Sequence, residues 1–229
     1  MFTNNEEATG SFTFEAEGSM DSKNPYYIGK LSRPDANSGV TIGAGYDMQD
    51  RTEAEVKRDL TGAGMETTLA EKLAKGAGLK GAPAETFVRA NQATLVVNNL
   101  NVLRRLFTNI YPGYVTRARK NFQFHSTAFQ TAMKTYGKQF AGATFFDWQY
   151  LFPAIRVIAI DFVYQGFGRP SPGYGKPLHI CMANDFDWLI DYITHTAAIA
   201  KFEAGRHRAA YLRAKKDFEV RNYSNCSSP

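Results

Sequence analysis

Apolar and polar positions alternate only briefly in this chain before helical spacing takes over. In "GVTIG", Gly39 to Gly43, Val40 and Ile42 fall on one side of a short strand and Thr41 on the other. The run "YYIGKL" is equally short, and the stretch around both is punctuated by Pro25, Gly29, Pro34, Asn37, Gly39, Gly43 and Gly45. Short runs between turn residues predict a small antiparallel sheet or hairpin. Just upstream, "SFTFEAEG" predicts a brief helix with Ser11 as N-cap and Gly18 as its stop.

From Thr52 onward the pattern is helical. Thr52 is the expected N-cap of a helix with Glu53 and Glu55 in its first turn. "ETTLAEKLAKGAG" and "APAETFVRANQ" predict two more short helices. In "TLVVNNLNVLRRLFTNI", Val96, Leu100, Val102, Leu103, Leu106 and Phe107 lie close to a helical stripe. Further helices are predicted over 126–136, 146–164, 184–195 and 197–220, with a loop over 165–177. The expected architecture is one α+β domain. It has a flexible N-terminus over 1–10, a small β-containing lobe over 11–50, a larger helical lobe over 51–220 and a tail over 221–229. A cleft between the lobes is the natural place for a ligand.

Composition narrows the function. With 229 residues and 44% hydrophobic content, the chain can bury a substantial core. Its longest apolar run, Tyr150 to Tyr164, is interrupted by Pro153, Arg156 and Asp161. It falls short of the roughly 20 residues of a membrane span, so a buried core helix and no membrane insertion are expected. "MFTNNEEATGSF" has acidic residues and no apolar segment, unlike a secretory signal. The net charge of +5 suits a polyanionic partner such as a bacterial wall or nucleic acid and does not choose between them. The basic run "KFEAGRHRAAYLRAKKDFEVR" lacks regularly interleaved aromatics for stacking bases, which argues against nucleic acid.

Several chemistries lack their motifs. Cys181 and Cys226 stand apart from each other, and His125, His179, His195 and His207 form no paired motif. Neither a metal site nor a thiol nucleophile is expected. "GAGYDMQ" lacks the third glycine of a dinucleotide fingerprint, and no GxSxG occurs. Carboxylates fit better. Glu15 and Glu17 are two apart on a short helix, so they point to different sides, and Asp47 follows a strand. One carboxyl acting as acid and another holding water is the chemistry of glycoside hydrolysis. The residues alone leave open which glutamate is the acid, and whether these are ordinary surface groups.

Glu17-Gly18, then a turn-rich stretch, then "SGVTIGAGYD" over 38–47, resembles the active-site signature of lysozyme-like muramidases of the pesticin type. These are related to phage-type lysozymes and to muramidase effectors of type VI secretion. The family pattern is a Glu-Gly ending the first helix, followed by T-I-G-x-G-Y-D. Glu17, Thr41 and Asp47 fill its Glu, Thr and Asp positions. "AEKLAKGAGLKGAPAETFV" and "AIDFVYQG" are similar to further segments of the branch. "AGRHRAAYL" is similar to a basic helix that in relatives lies near the acid, although His207 here separates Arg206 from Arg208. Residues 89–150 read as a family-specific insertion.

The resemblance implies a lysozyme-like fold and hydrolysis of the β-1,4 bond between N-acetylmuramic acid and N-acetylglucosamine. It makes Glu17 the general acid, with Thr41 and Asp47 holding the attacking water. Tyr27, Ser38, Gly45, Tyr46 and Arg206 become the expected substrate contacts, and no cofactor or metal is called for. The partners implied are peptidoglycan glycan strands, an immunity protein that blocks the cleft and a secretion-machine carrier. Such a protein is made in the cytoplasm without a signal peptide and acts in the periplasm or on the wall of a target bacterium. A phage endolysin and a non-catalytic glycan-binding module are the alternatives.

Overall fold

Residues 5–24, 27–36 and 38–223 are described by a computed structural model. In chain order, α1 (Asn5–Thr9) and α2 (Ser11–Ala16) precede a hairpin of β1 (Thr41–Ile42) and β2 (Tyr46–Asp47). Then come α3 (Glu53–Gly62), α4 (Thr67–Ala74), α5 (Ala82–Asn91) and the long α6 (Leu100–Ser126). They are followed by α7 (Phe129–Tyr136), α8 (Pro153–Tyr164), α9 (Lys176–Met182) and α10 (Phe186–His195). The chain closes with α11 (Ala197–Ala200), α12 (Glu203–Arg206) and α13 (Arg208–Tyr223). The protein is thus mostly helical, with a small antiparallel sheet.

These elements form two compact units. One runs from Glu17 to Tyr111, and the other joins the residues up to Ala16 to those from Pro112 on. The division expected near residue 50 falls instead at Ala16 and Tyr111. The hairpin therefore shares a unit with α3, α4, α5 and the start of α6.

In the hairpin unit, β1 and β2 pair antiparallel, with Thr41 opposite Asp47 and Ile42 opposite Tyr46. Gly43 and Gly45 close the turn at φ +67° and +78°, a region open to glycine at little cost. Ser32 pairs with the other edge of Thr41 through backbone bonds of 2.8 and 2.9 Å, giving β1 a partner on each side. Val40, Ile42, Tyr46 and Met48 are buried with Val56, Leu60 and Leu73 of α3 and α4. Thr52 caps α3 as expected, and Glu55 answers in a reciprocal capping box.

The helical unit is built on α8, which is buried on all sides from Pro153 to Val163. Its start lies later than the expected Phe146, because Pro153 occupies the first turn, where a missing N–H costs nothing. Four other expectations are corrected. From Asn5 the supposedly flexible N-terminus is helical, and Glu7 Oε2 accepts from buried Arg156 Nε at 2.7 Å. Helix α6 begins at Leu100 and continues through Pro112 to Ser126. Helix α9 occupies the end of the predicted loop and the residues beyond it. The single helix expected over 197–220 is three, with His207 left-handed at φ +54° before α13. The N-terminal residues before Asn5 and the tail after Tyr223, with Cys226, lie outside the described residues. Among the described residues no helix is long and apolar enough to cross a membrane.

One buried carboxyl makes stability depend on pH. Glu219 of α13 accepts the backbone N–H of Ala154 at 3.0 and 3.2 Å, capping α8 from outside. Burial pushes its carboxyl up from 4.5 to about 7, against the Ala154 hydrogen bond and the positive charges of Lys215 and Arg156; Glu6 adds to the rise. The folded state therefore binds the proton more tightly than the unfolded state. The resulting stability is fully present below pH 4.5 and is lost as pH rises through about 7. Glu219→Gln keeps an acceptor but has no proton to lose. Its melting temperature is expected to gain on the wild type by about 5–10 °C between pH 5 and pH 8 in parallel thermal melts. A constant difference across that range would show that Glu219 does not titrate there.

Candidate active site

Glu17, Thr41 and Asp47 all belong to the hairpin unit. Glu17 is half-buried just past the end of α2, followed by Gly18 at φ +137°, while Glu15 is exposed. Backbone bonds tie the segment after Glu17 to the hairpin in two steps. Ser19 O accepts from Ile28 N at 3.0 Å, and Ile28 O accepts from Gly43 N at 2.8 Å.

Gly39 connects the two hairpin candidates. Its N–H donates to Asp47 Oδ2 at 3.3 Å, and its carbonyl faces Thr41 Oγ1 at 3.4 Å. The other Asp47 oxygen accepts from Gln49 N at 2.8 Å, which completes a tight local turn. Asp47 is thereby held in one orientation, and each oxygen retains a further lone pair. Thr41, on the side of β1 away from Val40 and Ile42, is only 4% exposed. Both sides of β1 are buried.

Sequence reasoning missed Gly39 because its φ is ordinary and the constraint is space. A Cβ there would lie 2.5 Å from both Asp47 Oδ1 and Gln49 Cβ. Gly39→Ala is expected to displace the Asp47 carboxylate and cost about 1–3 kcal/mol, read by urea denaturation. A variant as stable as the wild type would show that the hairpin yields without cost.

The expected substrate contacts divide into two groups. Ser38 and Gly45 are partly exposed beside the hairpin, and Gly45 has no side chain to cover the turn. Tyr27 and Tyr46 are corrections, since both are core residues. Tyr27 is 4% exposed and donates its hydroxyl to Val97 O at 3.0 Å. Tyr46 is 1% exposed, donates to Asp59 Oδ2 at 2.9 Å and carries Arg51 over its ring at 4.5 Å. Burial pushes both phenols up.

Arg206 belongs to the helical unit, where its Nη1 donates to Asp161 Oδ1 at 2.7 Å. Arg208 is wholly buried and binds Asp161 Oδ2 at 2.7 Å. Lys215 and Lys216 pair with Glu6 and Asp187 at 3.1 and 2.7 Å. The basic C-terminal run is therefore largely matched by acids, with Arg213 exposed.

The sequence profile of a family described as a domain of unknown function, DUF8812, matches residues 10–203. The chain belongs to the DUF8812 family. The DUF8812 match takes in Glu17, Thr41 and Asp47 and stops short of Arg206. No curated protein matches the chain.

Other reactive groups outside the hairpin are engaged in structure. His179 receives the Tyr136 hydroxyl at 2.6 Å and binds His125 O at 2.9 Å, while His125 binds Arg169 O at 2.7 Å. Burial lowers the pKa of His179 and raises that of the fully buried Cys181 thiol. Among the described residues no group of His, Cys, Asp and Glu could hold a metal ion.

Proposed function

We propose that this protein is a lysozyme-like peptidoglycan muramidase. The observation that carries the reading is the placement of the Thr41 and Asp47 pair. They stand opposite each other across the hairpin and share Gly39, and a backbone ladder links that hairpin to the segment after Glu17. A pair held this way is pre-oriented, which favours interactions made in the transition state. Glu17 is favoured over Glu15 as the acid because it is half-buried and lies in the hairpin unit, whereas Glu15 is exposed.

On this reading Glu17 protonates the glycosidic oxygen as the bond to the anomeric carbon breaks. Thr41 and the free lone pairs of Asp47 hold the water that attacks that carbon. The partners are glycan strands of peptidoglycan, with an immunity protein to block the site and a carrier for delivery. The test is digestion of purified peptidoglycan followed by mass analysis of the soluble products. Fragments with a new reducing N-acetylmuramic acid end are expected, while reducing N-acetylglucosamine ends would indicate the other glycosidic bond and reject this reading.

A non-catalytic glycan-binding module is the second reading. It is favoured by the backbone N–H groups already bound to both Asp47 oxygens, an arrangement that also suits a purely structural turn. It expects binding to peptidoglycan with no soluble product.

A further inference from the structure

The helical unit contains a cavity of about 690 Å³, lined by residues of α1, the later part of α6, the turn over 147–149 and Arg156 of α8. All of its lining lies in this unit, and none of it includes Glu17, Thr41 or Asp47. We propose that the cavity is a second binding site, for a short neutral oligosaccharide. The proposal goes beyond the muramidase reading and rests on the lining alone.

Size and charge come first. The volume lies within the range of small-molecule sites. Glu7 and Asp147 stand against Arg119 and Arg156, so the charges of the lining balance. Arg156 Nε is already bound to Glu7 Oε2 at 2.7 Å. A neutral ligand can enter without disturbing that pair or upsetting the balance of charge.

The polar groups suit hydroxyls. Gln123 and Gln149 are exposed at the cavity, and each amide carries donors and an acceptor. A sugar hydroxyl also donates and accepts, so it can satisfy both ends of such a group.

Trp148 supplies the apolar part. Its ring packs on the edge of Phe122 at 5.4 Å between centroids, which fixes its plane. The indole Nε1 is buried without a hydrogen-bond partner. A buried donor left unpaired is costly until an acceptor or a water reaches it. Arg119 lies over the ring at 5.8 Å and meets Glu7 only at 3.4 Å. It is largely exposed, so its guanidinium retains donors for a ligand hydroxyl. An aromatic plane among planar, charge-balanced polar groups matches a pyranose, which has an apolar C–H face and a rim of hydroxyls.

The test is isothermal titration of the full chain with triacetylchitotriose and with cellotriose, both neutral. Saturable binding of at least one is expected, weakened about tenfold or more by Trp148→Ala and by Gln149→Ala. Gln149 is exposed, so its variant reads binding even if Trp148→Ala disturbs packing. The de-acetylated, positively charged trimer should bind more weakly than either. Failure of both neutral trimers to bind, equal affinity in both variants, or tighter binding of the charged trimer would overturn the proposal. Product release from peptidoglycan is measured separately, so failure of the muramidase reading remains distinguishable.

Discussion

Replacing Glu17 by Gln is expected to reduce lysis of purified peptidoglycan by about 10²–10⁴-fold while leaving the fold intact. The amide has the size of the carboxyl and fits the same half-buried position, but it has no proton to give the leaving oxygen. The loss should lie in turnover, because proton transfer matters most in the transition state. Turbidity clearance measures the rate, and circular dichroism checks the fold. Glu15→Gln is the control, since Glu15 is exposed at the end of α2. Lysis lost in the Glu15 variant and kept in the Glu17 variant would exchange their roles. Lysis kept in both would remove the carboxylate mechanism.

Replacing Asp161 by Ala is expected to have the largest effect on stability. Asp161 has no exposed surface and joins Arg206 and Arg208 at 2.7 Å each. Arg208 also reaches Glu203 at 3.5 Å, binds Gln165 and packs over Phe162 at 5.0 Å. Removing the carboxylate leaves two buried guanidinium groups without their shared counter-ion. Breaking one side of such a cluster costs about 3–5 kcal/mol. Urea denaturation reads the loss directly. Replacing Asp161, Arg206 and Arg208 together with apolar residues should recover much of it, because no buried guanidinium is then left without a counter-ion and only the part-exposed Glu203 loses a partner, at 3.5 Å. A single variant within about 0.5 kcal/mol of the wild type would show that the cluster contributes little.

The local parts of this fold were legible in the sequence. The capping pattern at Thr52 and Glu55 is complete within one helical turn, so short-range chemistry specified the start of α3. The hairpin was legible for the same reason, because β-branched residues and positive-φ glycines act on their own neighbours. What failed depends on distant partners. The alternation around Val40 says nothing about what covers Thr41. Tyr27 and Tyr46 look the same in the sequence whether they line a site or fill a core, and the Tyr27 hydroxyl finds its partner 70 positions away. The basic run around Arg206 looked like a patch because its counter-ion, Asp161, lies 45 positions earlier. Helix α6 carries Pro112 in its interior, where proline normally ends a helix, so local chemistry alone does not give its length.

The order in which the chain leaves the ribosome gives the two-ended helical unit a further meaning. The hairpin unit is one unbroken stretch, Glu17 to Tyr111, so all of its partners have emerged well before synthesis ends. Helix α1 is made long before its last partner, and it must wait. Glu6 finds the Tyr211 hydroxyl 205 positions later, at 2.7 Å. Arg156 can take Glu7 once α8 has emerged, but the docking surface of α1 stays incomplete until Tyr211 and Lys215 follow. Closing so long a loop is slow but adds little entropic cost beyond that of a moderate one. Emergence of α13 thus becomes the event that completes the helical unit, and ribosomes stalled before residue 208 would display α1 and α2 in a more protease-sensitive state.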